Sequence, residues 1–220
     1  LNVQKYGFES RMIYELQFAK EMNTADLFYI FQKANEFKDK NIPLEENLNA
    51  INTNRSAGLG LIIGKSQLLE TAKKLIRKFA AIQEPVLVTG ETGTGKELVA
   101  LAIHDLGLHE KEPFLAINCG ALSDTLLQSE LFGYEAGAFT GAQKEKIGIF
   151  EAAGKGTVFL DEFEDVSPKM QSSLLRVLET NEIRLIGGIN SRKITCKIVV
   201  ATNVALKILV AKKTFREDLF

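Results

Sequence analysis

The chain has 220 residues, 45% hydrophobic and 25% charged, which suits one substantial core plus an appended segment. Lys+Arg 27 against Asp+Glu 28 leaves a net charge of -1, so there is no global basic footprint for nucleic acid. Cys119 and Cys196 lack CxxC or Cys/His spacing, which excludes a disulfide scaffold and offers no zinc site. No apolar run reaches the ~18–20 residues of a membrane span.

The N-terminal region is polar with interspersed aromatics (Phe8, Tyr14, Phe18, Phe28, Tyr29 and Phe31). Their spacing predicts amphipathic helix, broken at Pro43. The Asn-rich stretch from Glu45 to Ser56 reads as a linker, so residues 1–58 are expected to be a helical segment and linker. From Leu59 the texture becomes α/β. Leu61-Ile62-Ile63-Gly64 leads into a helix from Ser66 to Ala80, followed by a strand over 85–89, a helix from Gly95 to Leu106 and a strand from Phe114 to Cys119. A helix at Ser123–Phe132, a glycine-rich insertion, a strand at Thr157–Asp161, a helix from Pro168 to Glu179 and a strand at Lys197–Ala201 complete the set. Strands alternating with crossover helices predict a parallel, doubly wound sheet.

Gly90-Glu91-Thr92-Gly93-Thr94-Gly95-Lys96-Glu97 follows the apolar run Val86-Leu87-Val88 and opens a helix. This is the context of a phosphate-binding loop: glycines let backbone N–H groups converge on phosphate oxygens, and the helix start adds positive potential. Lys96 supplies a point charge for the β- and γ-phosphates. The next residue is Glu97 rather than Ser or Thr, so no hydroxyl follows the lysine to hold Mg²⁺. Water, phosphates and other carboxylates must then hold the metal.

Thr157-Val158-Phe159-Leu160-Asp161-Glu162 ends a buried strand in two acids. Asp161 is the candidate Mg²⁺ ligand and Glu162 the candidate general base; two acids at a solvated strand end is the plainer alternative. Asn203, after Ala201-Thr202, is placed to sense the γ-phosphate, and Asn118 to restrain Glu162; each also suits a local turn. Arg216 is either an arginine offered to a neighbouring protomer's nucleotide or a surface residue paired with Glu217 or Asp218. His104 and His109 have no serine or cysteine partner and read as structural. Gly137-Ala138-Phe139-Thr140-Gly141-Ala142 forms a glycine-bracketed loop carrying a single large apolar side chain.

From Ile62 to Phe220 the sequence resembles the central ATPase domain of bacterial sigma-54-dependent transcription activators, a branch of the AAA+ superfamily. The resemblance rests on Gly90–Glu97, Ile117-Asn118-Cys119, Ser129–Gly133, Gly137–Ala142, Val158–Glu162, Leu174–Leu178, Ala201–Asn203 and Phe215–Leu219, in that order. It implies an AAA+ P-loop fold, Mg²⁺ and ATP as cofactors, with Ile63 and Gly64 also in the nucleotide site. Gly137 to Ala142 would contact sigma-54 RNA polymerase, with Phe139 and Thr140 presented. A second loop near Asp165–Pro168 is expected to support that loop. The resemblance further implies a cytoplasmic ring, usually hexameric, with Arg216 completing the next subunit's site. It places the lid, a second arginine and a helix-turn-helix DNA-binding domain beyond Phe220, and a sensory domain or its linker in residues 1–58. An ATPase that remodels the sigma-54 closed complex is therefore expected, against a nucleotide-switched binding module without turnover.

Overall fold

The computed structural model describes residues 3–8, 11–17 and 57–220. Its elements are β1 (Val3–Phe8), β2 (Arg11–Gln17), α1 (Ala57–Leu61), α2 (Gln67–Ala80), β3 (Val86–Thr89), α3 (Lys96–Asp105), β4 (Phe114–Asn118), α4 (Asp124–Phe132), β5 (Gly133–Tyr134), β6 (Lys146–Ile147) and α5 (Ile149–Ala152). There follow β7 (Thr157–Asp161), a 3-10 turn (Phe163–Asp165), α6 (Pro168–Thr180), β8 (Glu182–Arg184), β9 (Ser191–Lys193), β10 (Lys197–Thr202) and α7 (Leu206–Ala211). The main sheet has the order β1-β2-β3-β10-β7-β4. Every neighbouring pair in it is parallel except β1 with β2.

Period-2 alternation divides the central strands between two cores. Val86, Val88, Phe159, Val199 and Ala201 face Leu69, Ile76 and Phe79 of α2 and Val99 and Ile103 of α3. Leu87, Val158, Leu160, Ile198 and Val200 face Leu127 and Leu131 of α4 and Met170, Leu174 and Val177 of α6. A sheet covered by helices on both faces needs such continuous apolar strands. Ser66 caps α2 by accepting the Leu69 N–H at 3.2 Å, and Ser167 caps α6 with Pro168 as the first helical residue. The short helix α1 lies so close to α3 that a Cβ at Gly58 would meet the Ala102 backbone at 2.6 Å. At the opposite end of the sheet from the phosphate loop, the buried Lys197 ammonium donates to the Phe79, Ile82 and Glu84 carbonyls. It thereby closes the end of α2, and burial pushes its pKa down to about 8.

The N-terminal helix expectation is corrected where the structure describes that region. Residues 3–8 and 11–17 form strands, with Phe8 opposite Arg11 and Tyr14 of β2 in parallel register with Val86. Met12-Ile13-Tyr14-Glu15-Leu16 is a short, mainly apolar run of strand length, a signal that the wider spacing of the aromatics concealed. The rest of the predicted helical segment and linker, up to residue 56, lies outside the described residues. Leu61 closes α1, and the run from Leu61 to Gly64 leads into α2 as expected.

Candidate functional site

The parallel strands bring their carboxyl ends to one edge of the sheet. Thr89 lies opposite Thr202, and Asn118 opposite Asp161. This edge is where ligands bind in open α/β sheets. The Gly90–Gly95 loop leaves β3 here. Gly93 and Gly95 take φ of +82° and +81°, backbone that only glycine adopts readily, and Gly95 is the residue that opens α3. No side chain caps α3, so its first N–H groups point to the loop without a competing acceptor. Thr94 turns back through its N–H and Oγ1 to the Glu91 carbonyl, at 3.3 and 2.8 Å. Lys96 Nζ lies across the loop, donating to the Gly90 and Glu91 carbonyls at 3.0 and 3.1 Å. Thr92 and Glu97 are exposed. Ile63 is 42% exposed beside buried Ile62, which packs in the cluster containing Val88 and Val99.

Asp161 follows four residues of β7 that are almost fully buried. Its Oδ1 accepts the Glu162 N–H at 2.9 Å. Burial raises its carboxyl pKa, while the Glu162 N–H and the Lys96 charge pull it back and Glu162 and Glu164 push it up. Glu162 itself sits at φ 51°, ψ 47°. That left-handed conformation is uncommon for a side-chain-bearing residue and turns the chain sharply into the 3-10 turn. A Cβ at Gly120 would come within 2.7 Å of both Glu162 Oε2 and Asp165 Oδ2 and 3.5 Å of Asn118 Oδ1, so these groups converge on a bare glycine. Asn118 Oδ1 accepts the Gly120 and Ala121 N–H groups, both at 2.9 Å. It is therefore a turn-former and also a neighbour of Glu162. Asn203 donates its N–H to Glu164 Oε1 at 3.3 Å.

Arg216 takes the surface pairing. Its Nε donates to Asp218 Oδ1 at 2.8 Å, its Nη2 pairs with Oδ2, and its Nη1 reaches Ser172 Oγ at 3.0 Å. Behind it sits Gln171, 1% exposed, which the sequence reading passed over as an ordinary helix position. Gln171 Nε2 donates to the Val166 and Thr214 carbonyls, and its Oε1 accepts the Arg216 N–H. One buried amide thus fixes the arginine segment to the end of the acidic turn. The only legible signal was a polar residue on the buried stripe of α6. Gly120 and Glu164 were also missed, and Asp165 was placed only in the loop expected to support the hexapeptide; the three stand in no motif but sit within three residues of one. His104 is buried and pairs through Nδ1 with Thr157 Oγ1 at 2.9 Å. Cys119 and Cys196 are buried, their thiol pKa values pushed up to about 12 and about 11, chiefly by desolvation.

The hexapeptide stands on a separate stem. Gly137 and Gly141 take φ of +82° and +103°, and the Gly137 N–H closes the loop onto the Ala142 carbonyl at 2.7 Å. Ala142 is buried and anchors it, whereas Thr140 is exposed. Phe139 is 48% exposed, with its ring edge-on to Tyr134 at 4.9 Å. The expected support near Asp165–Pro168 is not what holds this stem; that segment turns into α6. The stem is the β5–β6 ladder, with Gly133 opposite Ile147 and Tyr134 opposite Lys146, and it is backed by the loop after β8. The Glu135 N–H donates to the Ile186 carbonyl and the Ile186 N–H to the Gly133 carbonyl, both at 3.0 Å. Gly187, at φ +79°, lies where a Cβ would be 2.8 Å from Ala138 Cβ.

The profile of the Sigma-54 interaction domain matches residues 62–220. The chain belongs to that family. The Sigma-54 interaction domain here is 49% identical over 159 residues to a Nif-specific regulatory protein of Rhodobacter capsulatus, covering 72% of this chain and 28% of that one. It is 47% identical over 161 residues to the regulatory protein AtoC of Escherichia coli, covering 73% and 35%. The chain thus spans about a third or less of the curated relatives it matches. Among solved structures, NtrX from Brucella abortus in complex with ADP superposes with a TM-score of 0.68 at 29% identity, over 91% of this chain and 43% of that one. A closed-state reconstruction of Hsp104, at TM-score 0.52 and 20% identity over 82% of this chain and 35% of that one, shares the fold. The fold is that of an AAA+ P-loop NTPase.

The residues present suit a nucleotide and a divalent cation. Uncapped helix N–H groups and the Lys96 ammonium fit phosphate oxygens. Among the described residues no three His, Cys, Asp or Glu side chains form a metal cage. Mg²⁺ commonly uses one or two carboxylates together with substrate phosphates, which Asp161 and its neighbours can provide. Among the described residues no helix is long and apolar enough to cross a membrane.

Proposed function

We propose that this domain binds and hydrolyses Mg²⁺-ATP and uses the cycle to engage and remodel sigma-54 RNA polymerase. The observation that carries the reading is the convergence at one sheet edge of the phosphate loop, Asp161-Glu162 and Asn203, with a stemmed loop displaying Phe139 on the same domain. Lys96 and the first N–H groups of α3 hold the phosphates, with Ile63 and Gly64 flanking the nucleotide. Asp161 holds the metal, which supplies charge neutralisation on the phosphates when bound. Glu162, kept next to Gly120, orients and deprotonates the attacking water, with Asn118 fixing the turn beside it. Asn203 lies where the γ-phosphate is sensed. Arg216 exchanges Asp218 for the nucleotide of a neighbouring protomer in a ring, where its planar fork matches phosphate oxygens.

Phe139, Thr140 and Ile189, the last 83% exposed on the supporting loop, offer apolar and hydroxyl contact area to the sigma factor. The Arg216–Asp218 pair favours a second reading, a nucleotide-switched binding module that does not turn over. Steady-state ATP hydrolysis by the full-length protein separates the two. The proposal predicts multiple turnovers in wild type, lost in Glu162→Ala while ATP still binds; binding without turnover in wild type establishes the switch instead.

A further inference from the structure

The four central strands meet at three junctions on the nucleotide edge, and two are clasped by backbone one residue past a strand. The Cys119 N–H donates to the Asp161 carbonyl at 2.9 Å, closing β4 to β7. The Gly90 N–H donates to the Thr202 carbonyl at 3.2 Å, closing β3 to β10. The third junction, β7 to β10, is the one between the acid pair and Asn203. Its register ends with Leu160 opposite Val200, and past that point the link is the Glu164 carboxylate accepting the Asn203 N–H. Glu164 Oε2 is buried and, among the described residues, has no hydrogen-bond partner. Such an atom is costly to keep and calls for a reason. A small residue would fill the 3-10 turn without that cost.

We propose that Glu164 is a positioning residue for the hydrolytic site, a side-chain clasp that holds Asn203 in place relative to Asp161 and Glu162. The proposal rests on the hydrolytic reading above and names one more residue in it. Backbone clasps at the outer junctions fix the phosphate loop to β10 and Asn118 to β7. The carboxylate clasp between them sets the distance across which water and γ-phosphate are to be aligned. Small errors in that distance are expensive for a reaction that depends on in-line geometry. The burial of Glu164 Oε2 follows from the clasp: turning Oε1 toward Asn203 carries the second oxygen inside. Glu164 also stands among the charges that push the Asp161 and Asp165 carboxyls upward, behind burial in both cases, so it lies within electrostatic reach of the acids it positions.

The test compares Glu164→Ala with Glu164→Gln in the full-length protein. Gln keeps an oxygen for the Asn203 N–H; Ala removes it. Hydrogen exchange followed by mass spectrometry in the peptide containing Asn203 should quicken at least about threefold in Glu164→Ala and stay near wild type in Glu164→Gln. ATP turnover should fall about tenfold in kcat for Glu164→Ala with KM within about twofold, and Glu164→Gln should recover most of it. Both variants should melt within a few degrees of wild type, separating positioning from unfolding. Unchanged Asn203 exchange and kcat in Glu164→Ala overturns the proposal, as does a Gln variant that behaves like Ala in exchange. If wild type fails to hydrolyse ATP, the hydrolytic reading falls alone, and the exchange comparison still decides the clasp.

Discussion

The phosphate loop and the hexapeptide loop are both glycine-bracketed, yet they are held in different ways. The phosphate loop is tied largely to itself: Thr94 and Lys96 bond to carbonyls of Gly90 and Glu91, and the Gly90 N–H donates to the Thr202 carbonyl of the adjacent strand β10. The hexapeptide also closes its own base, on the short ladder of β5 with β6, but that stem is bonded in addition to Ile186, far along the chain on the loop after β8. A loop tied to itself is a fixed cradle. A loop whose stem is shared with a second loop can be moved by that loop. The rigid cradle therefore suits nucleotide, and the stemmed loop suits transmission to a partner.

The largest effect expected from this contrast is on chemistry. Glu162→Ala should reduce ATP turnover by about 10²–10⁴-fold with nucleotide binding retained, as for loss of a positioned general base. Turnover within twofold of wild type would show that Glu162 is only a strand-end acid. Lys96→Ala should weaken ATP binding roughly 10- to 100-fold, the cost of a hydrogen bond to a charged group. Equilibrium dialysis against labelled ATP reads it, and unchanged affinity would mean that the loop binds no phosphate.

Gly187→Val probes the other region. It places a side chain on left-handed backbone against Ala138 and should cost about 1–3 kcal/mol locally. Because the strain falls on the hexapeptide stem, sigma-54 retention should fall about tenfold while basal hydrolysis stays within about twofold. Equal loss of both would show that the two loops are one mechanical unit. The smallest effect concerns the frame shared by both loops. His104 is buried with its pKa lowered from 6.5 by desolvation, so the unfolded chain takes up the proton first as pH falls. Stability should therefore decline as pH drops below 6.5, the unfolded chain being the better proton acceptor. Thermal melts from pH 7.5 to 5 should show a flatter profile in His104→Asn; an unchanged slope assigns the acid sensitivity to other groups.

The same contrast governs how much was legible in the sequence. β7 was read at its observed limits, and the phosphate loop, Asp161 and Glu162 were found because each is contiguous and follows an apolar run. The hexapeptide was visible for the same reason. Its support was not, because the pairing of Tyr134 with Ile186 joins two short segments with no periodicity of their own. Gln171 and Glu164 were passed over because their roles lie in remote backbone groups, Arg216 N–H and Asn203 N–H. The first strands were mistaken for helix because aromatic spacing alone fits both periods; counting the whole run from Met12 to Leu16 would have favoured the strand.

The most direct test of coupling between the two regions is retention of purified sigma-54 by the full-length protein, with ADP and with an ADP–metal-fluoride transition-state mimic. Retention with the mimic and not with ADP, abolished by Thr140→Ala, is the predicted result. Equal retention in both states, or none despite demonstrated nucleotide binding, would contradict the transmission of nucleotide state to the Gly137–Ala142 loop.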